Sequence, residues 1–321
     1  NPMNKVAEPP AMATTTIHPA VAQALASLNP SQPEYWNAIW RGTQEISRAS
    51  GRRMECWQNW DEVAEARKYW QRALEREQGS DGRLADVLAE VQPGWRVLDI
   101  GAGPGNLAVP LAKKVAHVTA VEPANGMATV LHENIEQFGL RNVHVVQKKW
   151  DDVDACKDLQ GPYDLVVISF AFGMLDLLDA VKKILSVARN RVLFYWHLGP
   201  QVWDVDAVKL WPLLHGKDFT PIPKAEVIFN LLYSMGIYAD ATVMHRTMRM
   251  GYDSFDEAMD EYRKRYAVPA NDSKLNALLK DYLLQNLVIE EGRHMQKATG
   301  TGMRLAWTIA PCSPLAACPR Q

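Results

Sequence analysis

The chain has 321 residues, of which 47% are hydrophobic. That length exceeds the roughly 100–200 residues of one ordinary domain and suits a single enlarged α/β domain with additions and a large core. Thirty-five Lys and Arg against 37 Asp and Glu leave a formal net charge of −2, mixed along the chain, so the basic field that a DNA or bulk-RNA partner generally needs is missing.

Cys56, Cys156, Cys312 and Cys318 form no Cys-x-x-Cys pair and share no histidine spacing suited to zinc, so reduced thiols and no metal are expected. No apolar run reaches the ~18–20 residues of a membrane helix. Residues 1–30 lack a basic region followed by a continuous apolar segment, so no signal peptide is expected and the setting reads as cytoplasmic.

In chain order, residues 1 to about 30 are rich in Pro, Ala and Thr and read as only partly ordered. From Pro33 to Gly51, Tyr35, Trp36, Ile39, Trp40 and Ile46 recur at helical spacing. A second helix should start at Asn59 or Asp61, either of which can cap it, and run to about Glu77. Its face carries Trp60, Val63, Ala64, Tyr69, Trp70 and Ala73. Most of Trp36, Trp40, Trp57, Trp60 and Trp70 read as packing of these helices against a sheet. Ser80–Gln92 is a further helix, and Pro93-Gly94 a turn.

Val97–Ile100 is an apolar β-type run that stops at Gly101, Gly103 and Gly105. Such a strand feeding alternating glycines makes a tight turn where backbone faces a ligand. Leu107–Ala112 is apolar all round, as in a buried helix. A dinucleotide fingerprint requires a third glycine where Asn106 stands, and a pyrophosphate would meet the negative Asp99; an acid there suits a cationic ligand. The next strand begins at His117 and ends in Glu122, at the spacing of a ribose-hydroxyl acceptor. Strands Val143–Trp150, Tyr163–Phe170 and Arg191–Trp196 follow, separated by helices Asn125–Gln137 and Leu177–Ala188. This alternation implies right-handed crossovers, a mainly parallel sheet, and a crevice at the strands' carboxyl ends, where the glycine turn, Glu122, Asp151 and Ser169 all fall.

Past the fourth strand, Phe170, Phe172 and Met174 either wall an apolar pocket or pack beneath it. His197, after the fifth strand, either accepts a proton from a hydroxyl or amine nucleophile or is held by a loop carbonyl. The segment 200–222 reads as a loop carrying His215. Lys224–Met235 is a helix, Tyr238–Met250 a sixth strand, and Ser254–Tyr266 and Ser273–Leu287 two inserted helices. Arg304–Ile309 is a final antiparallel strand, and the Pro- and Cys-containing tail is poorly ordered.

The pattern Asp99-x-Gly101-x-Gly103-x-Gly105, with Glu122 and Trp150-Asp151-Asp152 behind it, resembles class I S-adenosylmethionine-dependent methyltransferases. The resemblance covers about Trp60 to Trp196. It implies a seven-stranded, mainly parallel, Rossmann-like sheet with an N-terminal helical lid, here with helical insertions near the C-terminus where the family has a tight hairpin. Its cofactor is S-adenosyl-L-methionine, leaving as S-adenosyl-L-homocysteine. By that likeness Asp99, Gly101, Gly103, Gly105 and Asn106 form the cofactor turn, and Glu122 holds the ribose. Met127 lies near the adenine, Asp151 accepts its N6 amino group, and Ser169 borders the crevice. Trp150 either stacks on the adenine or is a core tryptophan. Trp60–Ala64 followed by Tyr69 resembles the lid segment of small-molecule methyltransferases, which makes Tyr69, with His197, a catalytic candidate.

The Asn/Asp-Pro-Pro-aromatic motif of nucleobase-amine and glutamine methylases does not follow the fourth strand. The division expected is 1–90 as extension and lid, 91–200 as cofactor-binding core, 201–310 as cap helices with the last two strands, and 311–321 as tail. The expected activity is methyl transfer to a small-molecule acceptor in a capped, aromatic-lined pocket, without nucleic-acid or membrane partners, by a monomer or homodimer. The alternatives are a protein or peptide methyltransferase, or a non-catalytic cofactor-binding subunit; a nicotinamide dehydrogenase ranks behind both.

Overall fold

The computed structural model describes residues 22, 25–51, 58, 60–77 and 82–309. Most of the Pro/Ala/Thr-rich start, Cys56, Trp57, Asn59 and the tail with Cys312 and Cys318 lie outside the described residues.

Helix α1 (Pro33–Ala49) starts on a proline, whose fixed φ and missing N–H suit a first turn. It buries Trp40 completely, and the indole N–H donates to the Met174 carbonyl at 2.8 Å. Helix α2 (Val63–Glu77) lies on α5 (Asn125–Gln137). Between them Ala66, Trp70, Ala124, Met127 and Val130 form a small core. Asp61, just ahead of α2, accepts the Asn125 N–H at 2.9 Å and so caps α5 from outside. Gly126 seats this contact: a Cβ there would lie 2.4 Å from the Trp60 carbonyl oxygen. Helix α3 (Arg83–Glu90) leads into the sheet.

Strands β1 (Arg96–Ile100), β2 (His117–Val121), β3 (Val143–Val146), β4 (Tyr163–Ser169) and β5 (Ala188–His197) are parallel, connected through helices that include α4 (Ala108–Ala112), α5 and α6 (Leu177–Val187). The interior positions of β1, β2 and β4 are almost wholly buried, the signature of a sheet covered on both faces. The order is β3-β2-β1-β4-β5-β8-β6, with β8 (Arg293–Thr308) and β6 (Asp240–Tyr252) antiparallel to their neighbours. The expected seven strands are present. A three-residue β7 (Val288–Glu290), pairing with β8, adds an eighth.

Strand β5 follows β8 only as far as His197↔Gly302, whereas β6 follows it to Tyr252↔His294. A two-stranded ribbon therefore projects past the carboxyl ends of the parallel strands. At its far end sit α9 (Phe255–Arg265) and α10 (Ser273–Asn286), packed with α7 (Val202–His215) around Leu210, Trp211, Tyr262, Tyr266 and Leu283. Asp206 is the polar centre of this cap. It accepts from the Tyr262 hydroxyl (2.8 Å), the Tyr282 hydroxyl (2.6 Å) and Gln296 Nε2 (2.9 Å), so one carboxylate ties together α7, α9, α10 and β8. Helix α8 (Ala225–Ser234) packs against α1.

Several expectations are corrected. The 200–222 segment is largely helix α7. It is apolar nearly all round and holds Pro212 in its last turn, so it shows neither an amphipathic stripe nor an uninterrupted helical pattern. His215 ends that helix, its Nε2 2.8 Å from the Tyr266 carbonyl oxygen. Strand β8 starts at Arg293 instead of Arg304; polar residues, Gly300 and Gly302 hide its first half. Strand β3 ends at Val146, and Trp150 begins a short 3-10 turn. Cys156 is disulfide-bonded, not a free thiol.

Candidate functional site

At the carboxyl ends of β1 and β4 a cleft of about 310 Å³ is lined by Tyr69, Arg83, Asp99, Gly101 to Pro104, Asn106, Leu107 and Ser169. The glycine turn makes its floor. Gly101 has φ +75° and both its amide and that of Ala102 donate to the Val121 carbonyl, at 2.8 and 3.0 Å. A Cβ on Gly101 would fall 2.1 Å from the Ala171 Cβ. Gly105 has φ +101°, and its Cβ would press on Leu131 and Val109 at 2.8 Å. Gly103, at φ +56°, has open space where a Cβ would go. Two glycines are thus required by close packing, and one leaves its backbone open to a ligand.

Asp99 is 1% exposed, and its Oδ2 has no hydrogen-bond partner among the described residues; neither has Asn106 Oδ1. Burial pushes the Asp99 carboxyl up to about 7; the Arg83 guanidinium opposes this, while the Glu122 carboxylate adds to it. Buried acceptors left without donors are rare because each costs about 1–3 kcal/mol. Two of them lining one cleft fit a cationic donor bound there.

Glu122 accepts the Gly103 N–H on one oxygen and the Ala124 N–H on the other, both at 2.8 Å. Burial pushes it up to about 6 against the pull of those two amides. A carboxylate has about four lone-pair sites, so two remain for ligand hydroxyls.

The cleft also holds a residue that the sequence reading did not single out. Arg83, first residue of α3, donates from Nη1 to Ser169 Oγ at 2.6 Å and lies over the Phe170 ring, 5.6 Å from its centre. The signal was present in the sequence: Arg83, Asp86 and Glu90 fall at i, i+3 and i+7, one face of a helix ending just before β1. Arg83 shares the cleft with Asp99 and Asn106, so a cation and two buried acceptors line one space.

Asp99, Gly101, Gly103, Asn106, Tyr69 and Ser169 therefore meet in one cleft, with Glu122 bonded to its floor and Gly105 buttressing the turn. The ring of Tyr69 meets Trp60 edge-on at 5.0 Å. Asp151 is exposed in the 3-10 turn after β3. Met127 is 4% exposed beneath α2 and does not line the cleft. Trp150 is corrected: it is the core tryptophan, 5% exposed, its indole N–H donating to the Ala180 carbonyl at 3.3 Å. That leaves no face for adenine stacking.

His197 stands outside the cleft, one residue past Trp196 at the end of β5. Its ring touches Phe170 (4.8 Å between centres), Trp196 (4.9 Å) and Trp203 (5.4 Å). Phe170, His197 and Trp203 are each half-buried, forming a row of rings that leads away from Ser169. Phe170 has φ +55°, a left-handed backbone that costs a non-glycine residue about 1–2 kcal/mol. Such strain gathers at ligand clamps. Phe172 and Met174, by contrast, are core residues, at 1% and 4% exposure.

Residues 97–191 match the family described as a methyltransferase domain. An uncharacterised protein of Haemophilus influenzae is 31% identical over 154 residues, covering 47% of this chain and 53% of that protein. A protein-L-isoaspartate O-methyltransferase of Ectopseudomonas mendocina is 28% identical over 152 residues, 42% of this chain and 68% of that enzyme. Among solved structures, the YcgJ protein of Bacillus subtilis aligns with 70% of this chain and 97% of its own at 18% identity and a TM-score of 0.46. The chain spans about half the length of the Haemophilus protein it matches.

Proposed function

We propose, from a chain whose residues 97–191 match a methyltransferase domain, that it transfers the methyl group of S-adenosyl-L-methionine to a small-molecule acceptor beneath the cap. One observation carries this reading: the cleft above the glycine turn gathers the orphaned acceptors Asp99 Oδ2 and Asn106 Oδ1 and the cationic Arg83. That is the complement of a ligand ending in both an ammonium and a carboxylate. Asp99 and Asn106 would take the ammonium and Arg83 the carboxylate, with Glu122 on the ribose hydroxyls and the bare Gly103 backbone against the nucleoside. A pyrophosphate would face Asp99 and Glu122 together, which disfavours a nicotinamide dinucleotide.

When bound, the cofactor supplies an already activated methyl group. The protein's part is to align the acceptor and exclude water, which can contribute about 7–11 kcal/mol from positioning. The acceptor would lie along Phe170, His197 and Trp203, where His197 takes its proton and Tyr69 faces the reacting end from the lid side. The ribbon and cap helices stand on the same side of the sheet, which supports a closed pocket.

Protein incubated with methyl-labelled cofactor and a cell extract should place the label in a small molecule released by the reaction. Label appearing in protein instead would replace this reading with a protein methyltransferase. Failure of S-adenosyl-L-homocysteine to raise the thermal stability would remove the cofactor assignment itself.

A further inference from the structure

Helix α3 runs antiparallel to β5, and its polar face touches the sheet at three levels. At the carboxyl end of β4, Arg83 reaches Ser169. One turn down, Asp86 accepts the Tyr195 hydroxyl at 2.5 Å and forms an ion pair with Arg304 Nε at 2.7 Å. At the bottom, Glu90 takes Arg304 Nη2 at 2.5 Å and the Nε of Arg191 at 3.0 Å. Leu84, Val87, Leu88 and Val91 pack toward the apolar core, but apolar contact alone sets the position of an eight-residue helix along a strand only loosely. Its N-cap is Gly82, with no side-chain capping bond, so the first turn has little local hold. Arg304 spans two acids one helical turn apart on α3, and its side chain is 14% exposed. Its Nη2 donates a hydrogen bond to Glu90, while its Nε meets Asp86 as an ion pair without a hydrogen bond, so one guanidinium anchors the helix at two points, one of them directional.

We infer that Arg304, in the last strand, is a positioning residue for the cofactor: it holds α3 in register so that Arg83 stands in the cleft with Asp99. This rests on the reading of Arg83 as the group that meets the cofactor's carboxylate. Arg304 touches no ligand in this scheme. Its effect should therefore reach only ligands that carry the amino-acid end, and should vanish once Arg83 is gone.

The test is a calorimetric double-mutant cycle on the full chain with two ligands, S-adenosyl-L-homocysteine and 5′-methylthioadenosine, which lacks the amino-acid end. R304Q should weaken homocysteine-ligand binding about tenfold, the middle of the range for coupled residues, and leave methylthioadenosine binding unchanged. R83Q should weaken the first ligand at least as much, and R83Q/R304Q no further. R304K, which can meet one acid but not both, should recover part of the loss. Y195F, which removes a single hydroxyl, serves as the mild variant if R304Q folds poorly, with the same ligand selectivity expected at smaller size. Equal losses for both ligands, or an R304Q penalty undiminished in the R83Q background, would overturn the inference while leaving the cofactor reading intact. R83Q binding like the unaltered protein would sink the Arg83 assignment and the inference with it.

Discussion

Replacing Asp99 by asparagine separates a ligand-binding carboxylate from a structural one, because the two roles move stability in opposite directions. The folded carboxyl titrates at about 7 against 3.8 for a free side chain, with burial as the leading cause. Each unit is about 1.36 kcal/mol, so holding Asp99 ionised in the ligand-free protein costs on the order of 4 kcal/mol at pH 8. The sign follows from linkage. The native state binds this proton more tightly than the unfolded chain does. Stability from this group is therefore complete below about pH 4 and is lost as the pH rises through about 7.

Asp99→Asn is nearly isosteric and carries no charge. The ligand-free variant should melt several degrees above the parent at pH 8, with the gap closing toward pH 5. Cofactor binding should change the other way. Losing one charge-assisted hydrogen bond of about 1.5–3 kcal/mol weakens the dissociation constant about ten- to a hundredfold. In the parent protein the same constant should worsen as the pH falls below about 7, approaching about tenfold per unit. Scanning fluorimetry across pH 5–8, with calorimetry at pH 6 and 8, measures both. An Asp99→Asn protein that is less stable at pH 8, or that binds the cofactor undiminished, refutes the argument.

Other substitutions test neighbouring parts of the site. Gly101→Ala forces a Cβ against Ala171 and should unfold at markedly lower urea, whereas Gly103→Ala meets no protein atom and should lose only the about 1–2 kcal/mol of its left-handed backbone together with cofactor affinity. Trp150→Phe removes one indole hydrogen bond and should lower stability by about 0.5–1.5 kcal/mol with an unaltered cofactor dissociation constant; a weakened constant would return Trp150 to the site. His197→Gln should reduce turnover about 10²–10⁴-fold with cofactor affinity intact once the acceptor is known, and unchanged turnover would exclude it as the base.

Much of the sheet was legible because its strands are short, apolar and closed by glycine or acidic turns. The Val97–Ile100 run and its glycines fix β1 and the turn locally, and Glu122 follows from chain spacing alone. Other features depended on partners far away in sequence. Arg83 reads as an ordinary helix residue until Ser169 and Asp99 are placed around it. Trp150 had two equal readings until α6 supplied the Ala180 carbonyl that holds its indole. Helix α7 carried apolar residues on every side, so periodicity could not distinguish it from a loop. The first half of β8 gains its strand character from residues 246–252 of β6 on one side and β7 on the other, not from any preference of its own.

The ribbon formed by β6 and β8 has a consequence for how such a chain diversifies. It carries α9 and α10 beyond the last pair of β5 with β8, and their cohesion comes from Asp206 and the tyrosines around it, not from any residue that lines the cleft. On the proposed reading, substitutions on the cap would therefore leave Asp99 and Glu122 undisturbed, and a lineage would keep its methyl donor while exchanging the acceptor.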